Sequence, residues 1–296
     1  MSADGSARAD GEAQRPRVPL PSASMPVDGV TPDADRRVTG SLPLLVPHWP
    51  VASRVRALVT TREGGLSSGP FGLAGGQPGG LNLGEHVGDD PDAVRGNRAR
   101  LAAVLPAPVN WLHQVHGTRV FRATAGIATD PPPEADAAVT AQAGVVLAVM
   151  TADCLPILLA DAQGTVVGIA HAGWRGLAAG VAEATVDAMR GWLPPARPLV
   201  AWLGPAIGPG AFEVGEEVRA AFCDVDAAAS EAFVPAAGGG KWLADLYRLA
   251  RLRLARCGVE AVHGGGRCTV SDPQRFYSHR RDGRSGRMVS LIWIDR

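Results

Sequence analysis

The stretch M-T-A-D-C-L-P-I-L-L-A, Met150 to Ala160, is an apolar run broken at its centre by an aspartate and a cysteine. A free thiol packs like a small hydrophobe, so Cys154 alone needs no special account. Asp153 does, because a carboxylate among apolar residues needs a partner or an opening to water. The pair marks either a local capping feature or the mouth of a site. The surrounding apolar segment, Gly144 to Ala160, is long enough to be mistaken for a membrane span. Asp153 and Pro156 at its middle argue against that. It reads instead as two buried strands, Val145–Thr151 and Leu155–Ala160, which makes the chain a soluble one built around a sheet.

The whole composition agrees. The chain has 296 residues, of which 46% are hydrophobic, enough for a substantial core. Lys+Arg and Asp+Glu are equal at 29 each, so neither a nucleic-acid groove nor an anionic membrane surface is expected as the main partner. Cys154, Cys223, Cys257 and Cys268 are too scattered for a disulfide scaffold, and no CxxC is present. Residues 1–40 contain no apolar signal-like region. A cytoplasmic, reducing location and a monomer are expected. Residues 1–41 lack periodicity and read as a disordered tail, leaving 42–296 as one catalytic domain.

Within that domain a strand is expected at Arg56–Thr61 and a long glycine-rich loop from Gly64 to Gly84. Asp90 and Pro91 then start a helix, with Val94, Leu101 and Leu105 on its inner face. Strands are expected at Val109–Leu112, Arg119–Ala123, Ala137–Thr140, Thr165–Ala170, Leu199–Leu203 and Met288–Ile294. Leu177, Val181, Ala184, Ala188 and Trp192 repeat at helical spacing, predicting one helix over Gly176–Trp192. Val214, Val218, Ala221 and Phe222 suggest a short helix. Leu246, Leu249, Ala250 and Leu254 suggest a longer one, stopped by Gly258. Strands and helices mix throughout, which indicates a single α/β domain of the α+β type.

Three motifs place ligand-type residues where an apolar strand meets a turn: W-L-H-Q-V-H-G (111–117), T-A-D-C-L-P (151–156) and I-A-H-A-G-W-R-G (169–176). His116, Cys154 and His171 can together supply two imidazoles and a thiolate, a three-ligand zinc site with a fourth position for water. The blander reading is that Cys154 fills core space and His171 is a hydrogen-bonded core histidine. His113 is set aside, because residues three apart in an extended segment point to opposite faces. Gly65-Leu66-Ser67-Ser68-Gly69 matches a nucleophile elbow, yet the glycines and proline that follow deny it the required helix. His263-Gly264-Gly265-Gly266, which mimics an esterase oxyanion loop, stands in the wrong order relative to it.

The motifs T-A-D-C-L-P-I, H-A-G-W-R-G, G-P-A-I-G-P-x-x-F-E-V-G and F-Y-S-H-R-R-D-G-R-S-G-R, with L-N-L-G-E-H-V-G-D-D-P and Q-V-H-G, resemble the laccase-domain family. Its members are variously called polyphenol oxidoreductases, peptidoglycan editing factors and purine nucleoside phosphorylases. The resemblance runs from about Val55 to Ile294. It implies a four-layer α/β/β/α sandwich similar to deamidase toxins of the cytotoxic necrotizing type. It also implies that His116, Cys154 and His171 are the zinc ligands and catalytic residues, the same three that chemistry selected. Asn82, in L-N-L-G, and Asp153 are placed with substrate, and Asp153 alternatively orients a ligand. Two departures stand out: the loop Gly69–Gly80 is unusually rich in glycine, and His279 occupies a position where tyrosine is common.

Zinc in such a site acidifies bound water toward neutral pH, the chemistry of adenosine deamination. Phosphorolysis needs in addition a phosphate site, for which Arg62, Arg175, Arg280, Arg281, Arg284 and Arg287 are candidates. Arg175 is expected just before a helix N-terminus, where an anion can be held. The Arg280–Arg287 cluster reads equally as a solvated basic loop. The expected partners are therefore a small-molecule nucleoside and phosphate. The leading expectation is a zinc-dependent purine nucleoside phosphorylase for adenosine, inosine, guanosine and methylthioadenosine, with adenosine deaminase activity. Copper-dependent phenol oxidation is one alternative, weakened by the chain's seven histidines and lack of any H-x-H pair. Hydrolytic editing of cell-wall precursors, with Cys154 as nucleophile and His116 or His171 as base, is the other.

Overall fold

The interruption at Asp153 is where the chain leaves one β-sheet and enters another. Val146–Thr151 lies in a first six-stranded sheet and Leu155–Asp161 in a second, and residues 152–154 make the passage. Asp153 takes a positive φ of 87° there, a backbone region that branched apolar residues of the flanking strands avoid. The computed structural model describes residues 36–39, 42–125 and 130–296.

The strands are β1 (Arg36–Thr39), β2 (Leu42–Leu45), β3 (Val55–Thr60), β4 (Glu63–Ser67), β5 (Val109–Asn110), β6 (Val120–Arg122), β7 (Ala137–Thr140) and β8 (Val146–Thr151). They continue with β9 (Leu155–Asp161), β10 (Val167–Ala172), β11 (Leu199–Leu203), β12 (Glu213–Gly215), β13 (Phe233–Pro235), β14 (Lys241–Ala244), β15 (Ala261–Gly264) and β16 (Met288–Ile294). The helices are α1 (Pro91–Ala102), α2 (Trp174–Ala179), α3 (Val181–Arg190), α4 (Glu216–Cys223), α5 (Leu246–Arg256) and α6 (His279–Asp282). The first sheet has the order β1-β2-β3-β16-β8-β5 and the second β15-β11-β9-β10-β7-β6. A small sheet, β12-β14-β13, stands beside them.

Alternation along each strand sorts side chains into layers. Ala57, Val59, Leu147, Val149 and Ile292 of the first sheet meet Ala138, Leu158, Val167, Ile169 and Trp202 of the second in the central layer. The other face of the second sheet, with Ile157, Leu159, Ala170 and Ala201, packs on Leu177, Val186, Val218 and Leu249 of α2–α5. The other face of the first sheet, with Val146, Ala148, Val289 and Leu291, packs on Leu101 of α1 and on Leu81 and Leu83. The result is helix, sheet, sheet, helix: four layers in one α/β domain.

Several local expectations are corrected. Strand β1 falls inside the segment expected to be a disordered tail; it pairs with β2 from Arg36↔Leu45 to Thr39↔Leu42. Such edge pairing runs through the main chain and needs no apolar alternation to announce it. The remainder of the expected tail, residues 1–35, 40 and 41, lies outside the described residues. The glycine-rich loop contains β4 and short 3-10 turns. The single helix over Gly176–Trp192 is two, because Gly180 takes a φ of 100° between α2 and α3. Val214 lies in β12, ahead of α4 rather than in it.

Loop carbonyls have no ladder partner, and this chain satisfies many of them with guanidinium groups. Arg62 donates to Gly72 O and Pro273 O, Arg98 to Leu83 O, and Arg100 to Gly64 O. Arg281 holds Thr269 O, Val270 O and Phe276 O, and Arg287 holds Ser285 O and Gly286 O. Among the described residues no helix is long and apolar enough to cross a membrane.

Candidate metal centre

Each of the three ligand-type side chains is presented by a different piece of backbone. His116 follows β5 in a segment tied down by His113 N–H to Pro133 O and Ala135 N–H to His113 O. It sits at a φ of 62°, so the chain turns there and lifts its imidazole off the sheet edge. Cys154 is the last residue of the passage between sheets. His171 is in β10, opposite Pro156 of β9, and its main-chain N–H donates to Asp136 O at 2.7 Å.

The donor atoms of His116, Cys154 and His171 all lie within 4.8 Å of one another. Cys154 Sγ is 3.7 Å from His116 Nε2, and the two rings meet edge to face at 4.7 Å between centroids. Tetrahedral zinc with bonds of about 2.0–2.3 Å holds neighbouring donors roughly 3.5 Å apart. The set therefore fits one such ion. His171 is buried, Cys154 half-buried and His116 exposed, so the cluster is open on the His116 side. His113 stays outside it.

Asp136, fully buried just ahead of β7, was not singled out from the sequence. Its carboxylate accepts His171 Nδ1 at 2.8 Å and the main-chain N–H groups of Val115, His116 and Gly117 at 3.1, 2.9 and 2.7 Å. Burial works against its charge, but the His171 hydrogen bond and these N–H groups outweigh it and hold the carboxyl below its ordinary range. With Nδ1 engaged, Nε2 is the His171 atom left for an ion.

Burial also works against charge on Cys154 and His171, yet their mutual attraction, with hydrogen bonds from His116 and Asp136, prevails. The thiol is held well below its ordinary value and the imidazole well above. Both directions favour a thiolate–imidazolium pairing in the metal-free protein. A lowered pKa means that thiolate persists as pH falls and disappears only below the ordinary thiol range. After chelation, Cys154 is expected to react with iodoacetamide at pH values where Cys223 and Cys257, both pushed up by burial, remain thiols. Added zinc should suppress the reaction. Peptide mass spectrometry across pH checks it; one common midpoint for the three cysteines would refute the pairing.

A cleft of about 140 Å³ opens beside Cys154. Gly173, Trp174, Ile207, Phe212 and Leu246 give it apolar walls, and Asp153, His279 and Arg280 give it polar ones. The structure sorts the expected substrate residues accordingly. Arg280 lines the cleft; its main-chain N–H donates to Asp153 Oδ2 and its guanidinium to Glu213 O. Asp153, also at the cleft, acts as a brace, accepting Thr269 Oγ1 at 2.5 Å and Arg280 N at 2.7 Å. Arg175 is exposed over the Trp174 ring, within the first turn of α2 rather than ahead of a helix. Arg62 and Asn82 are not among the residues lining the cleft. Arg62 holds carbonyls of two loops under Tyr277, and Asn82 is fully buried between Gly84, Asp89 and Arg287. A charged or amide side chain does not announce whether it serves a ligand or the main chain. Arg287, whose charge burial disfavours, is attracted by Cys154 and Asp153.

Comparison with known proteins places these features in a family. The profile of the multi-copper polyphenol oxidoreductase laccase family matches residues 56–295. A purine nucleoside phosphorylase of Pseudomonas aeruginosa is 55% identical over 252 residues, 84% of this chain and 98% of that protein. One of Escherichia coli is 50% identical over 255 residues, covering 85% and 98%. Among solved structures, the Neisseria meningitidis protein NMB0706 superposes with a TM-score of 0.78 at 49% identity, over 86% of this chain and 99% of the other. YlmD from Geobacillus stearothermophilus gives 0.74 at 32% identity, over 88% and 99%. With a matched region that contains both sheets' central strands and all three ligand-type residues, the chain belongs to the multi-copper polyphenol oxidoreductase laccase family.

Proposed function

We propose that this protein is a zinc-dependent purine nucleoside phosphorylase, acting on adenosine, inosine, guanosine and methylthioadenosine, that also deaminates adenosine. The observation that carries the reading is the His116–Cys154–His171 triad opening beside a cleft with apolar walls and an arginine. Relatives 50–55% identical carry the name purine nucleoside phosphorylase, which supports the phosphorylase part of the reading. Zinc bound there supplies Lewis acidity and acidifies water toward neutral pH.

The rest falls to the chain's own residues. Trp174 and Phe212 are the aromatic side chains of the cleft, against which a purine would pack. The cleft is smaller than the roughly 300–1,000 Å³ that encloses a whole drug-sized ligand, so it would take the base or the sugar and leave the remainder at the rim. Phosphorolysis forms a bond from a phosphate oxygen to the anomeric carbon, breaks the glycosidic carbon–nitrogen bond and returns a proton to the departing base. Arg280, which lines the cleft, is the cation that would meet phosphate.

Purified zinc-loaded protein with inosine and phosphate is expected to release hypoxanthine, and adenosine without phosphate to yield inosine, both followed by chromatography. Unchanged inosine at confirmed zinc occupancy would refute phosphorolysis. A multicopper oxidase is less well supported, because only one group of metal-ligand side chains is found among the described residues. Oxygen uptake with phenols and copper would revive it. A cysteine hydrolase would require Cys154 to stay reactive toward iodoacetamide in the zinc-loaded protein.

A further inference from the structure

We propose that Asp136 is the positioning residue of the ion site, one carboxylate that sets both histidines at once. Oδ1 takes the His171 ring directly at 2.8 Å, which fixes that ring's tautomer and rotation. It also accepts His116 N–H at 2.9 Å, while Oδ2 accepts Val115 N–H at 3.1 Å and Gly117 N–H at 2.7 Å. Three successive N–H groups converging on one point make an anion-binding nest, and here the anion is the protein's own side chain.

This nest accounts for the backbone of His116. A φ of 62° is unfavourable for a residue with a Cβ, and it persists only where the surroundings over-determine it. The carboxylate supplies that restraint. Asp136 is 0% exposed, so no water competes for its oxygens. The imidazole that packs edge to face on His171 is thus held through its main chain by the same group that holds His171 through its ring. Cys154 receives nothing from Asp136 and is placed by the passage between the sheets.

The assignment rests on the triad holding zinc, and the test separates the two. Zinc affinity is measured by chelator competition on the full chain and on Asp136→Asn, which keeps the shape but turns one acceptor into a donor. Wild type binds and the variant binds at least tenfold more weakly, within the 10–100-fold range of such partners. In the background of His116→Ala the same substitution costs less, because one of its two routes is gone. Cobalt-loaded Asp136→Asn retains thiolate-to-metal charge transfer while its tetrahedral ligand-field bands weaken. A wild type that takes no zinc overturns the site itself. Equal affinities overturn the role of Asp136, and an undiminished cost in the His116→Ala background overturns its hold on His116. If Asp136→Asn does not fold, the wild-type zinc form decides: an exchange-protected downfield proton on His171 Nδ1 supports the assignment, and its absence overturns it.

Discussion

Cys154→Ala is expected to lose ion retention and nucleoside turnover together. Hydrogen-bond partners of metal ligands cost about 10–100-fold in affinity, so removal of the one thiolate should exceed about 100-fold. Little else depends on this side chain. It is half-buried, and the main chain around it is braced by Asp153 through Thr269, Arg280 and Ile207. The melting temperature of the chelated variant should therefore stay close to that of chelated wild type. Metal analysis, inosine turnover and thermal unfolding on the same preparation check the three parts. Retained zinc with retained turnover would remove Cys154 from the site; lost turnover with retained zinc would favour a nucleophilic thiol.

Gly173→Ala has the second largest expected effect, although Gly173 offers no donor atom. A Cβ at this position would stand 2.9 Å from Cys154 Sγ and 2.9 Å from His116 Cδ2, both closer than the 3.0 Å below which such contacts essentially never occur. Two ligands must move apart to admit it, and a displacement of about 1 Å can cost on the order of 100-fold in catalysis. The backbone does not object: φ −63° and ψ 160° suit alanine. In the chelated protein the side chains can swing away, so stability should be unchanged, or raised by up to about 1 kcal/mol through the unfolded state. Zinc affinity and turnover should fall tenfold or more. Gly210→Ala, exposed and with nothing within 4 Å of the added carbon, serves as the control. Equal effects of the two substitutions would show that Gly173 does not set the ligand spacing.

These effects trace back to what the amino-acid order reveals. Strands β7, β11 and β16 are buried along their whole length, and such runs stand out as Ala137–Thr140, Leu199–Leu203 and Met288–Ile294. The small β12-β14-β13 sheet and α6 are short and partly polar, and no periodic signal marks them. The break at Gly180 is hidden because Leu177, Val181, Ala184 and Ala188 continue one helical spacing across it. His116, Cys154 and His171 were legible as chemistry at strand ends. Asp136 was not: its partners His116 and His171 are 20 and 35 residues away, and P-P-P-E-A-D-A-A reads as a loop running into a strand. Gly173 was equally silent, since the absence of a side chain carries no chemistry until its neighbours are placed. The arginines are ambiguous for a different reason. Charge says that a group wants partners, and in Arg62 and Arg281 those partners are carbonyls of the fold.

The chain that uses guanidinium in this way is almost without lysine. Of its 29 basic residues, Lys241 is the one lysine and 29 − 1 = 28 are arginine. Lys241 is exposed at the start of β14, on the small sheet. Amine-directed reagents will therefore find one side chain besides the terminal amine. A dye or surface linker then has one side-chain amine to attach to, and the guanidinium clasps stay closed. Reagents aimed at guanidinium, by contrast, should unpick the loops.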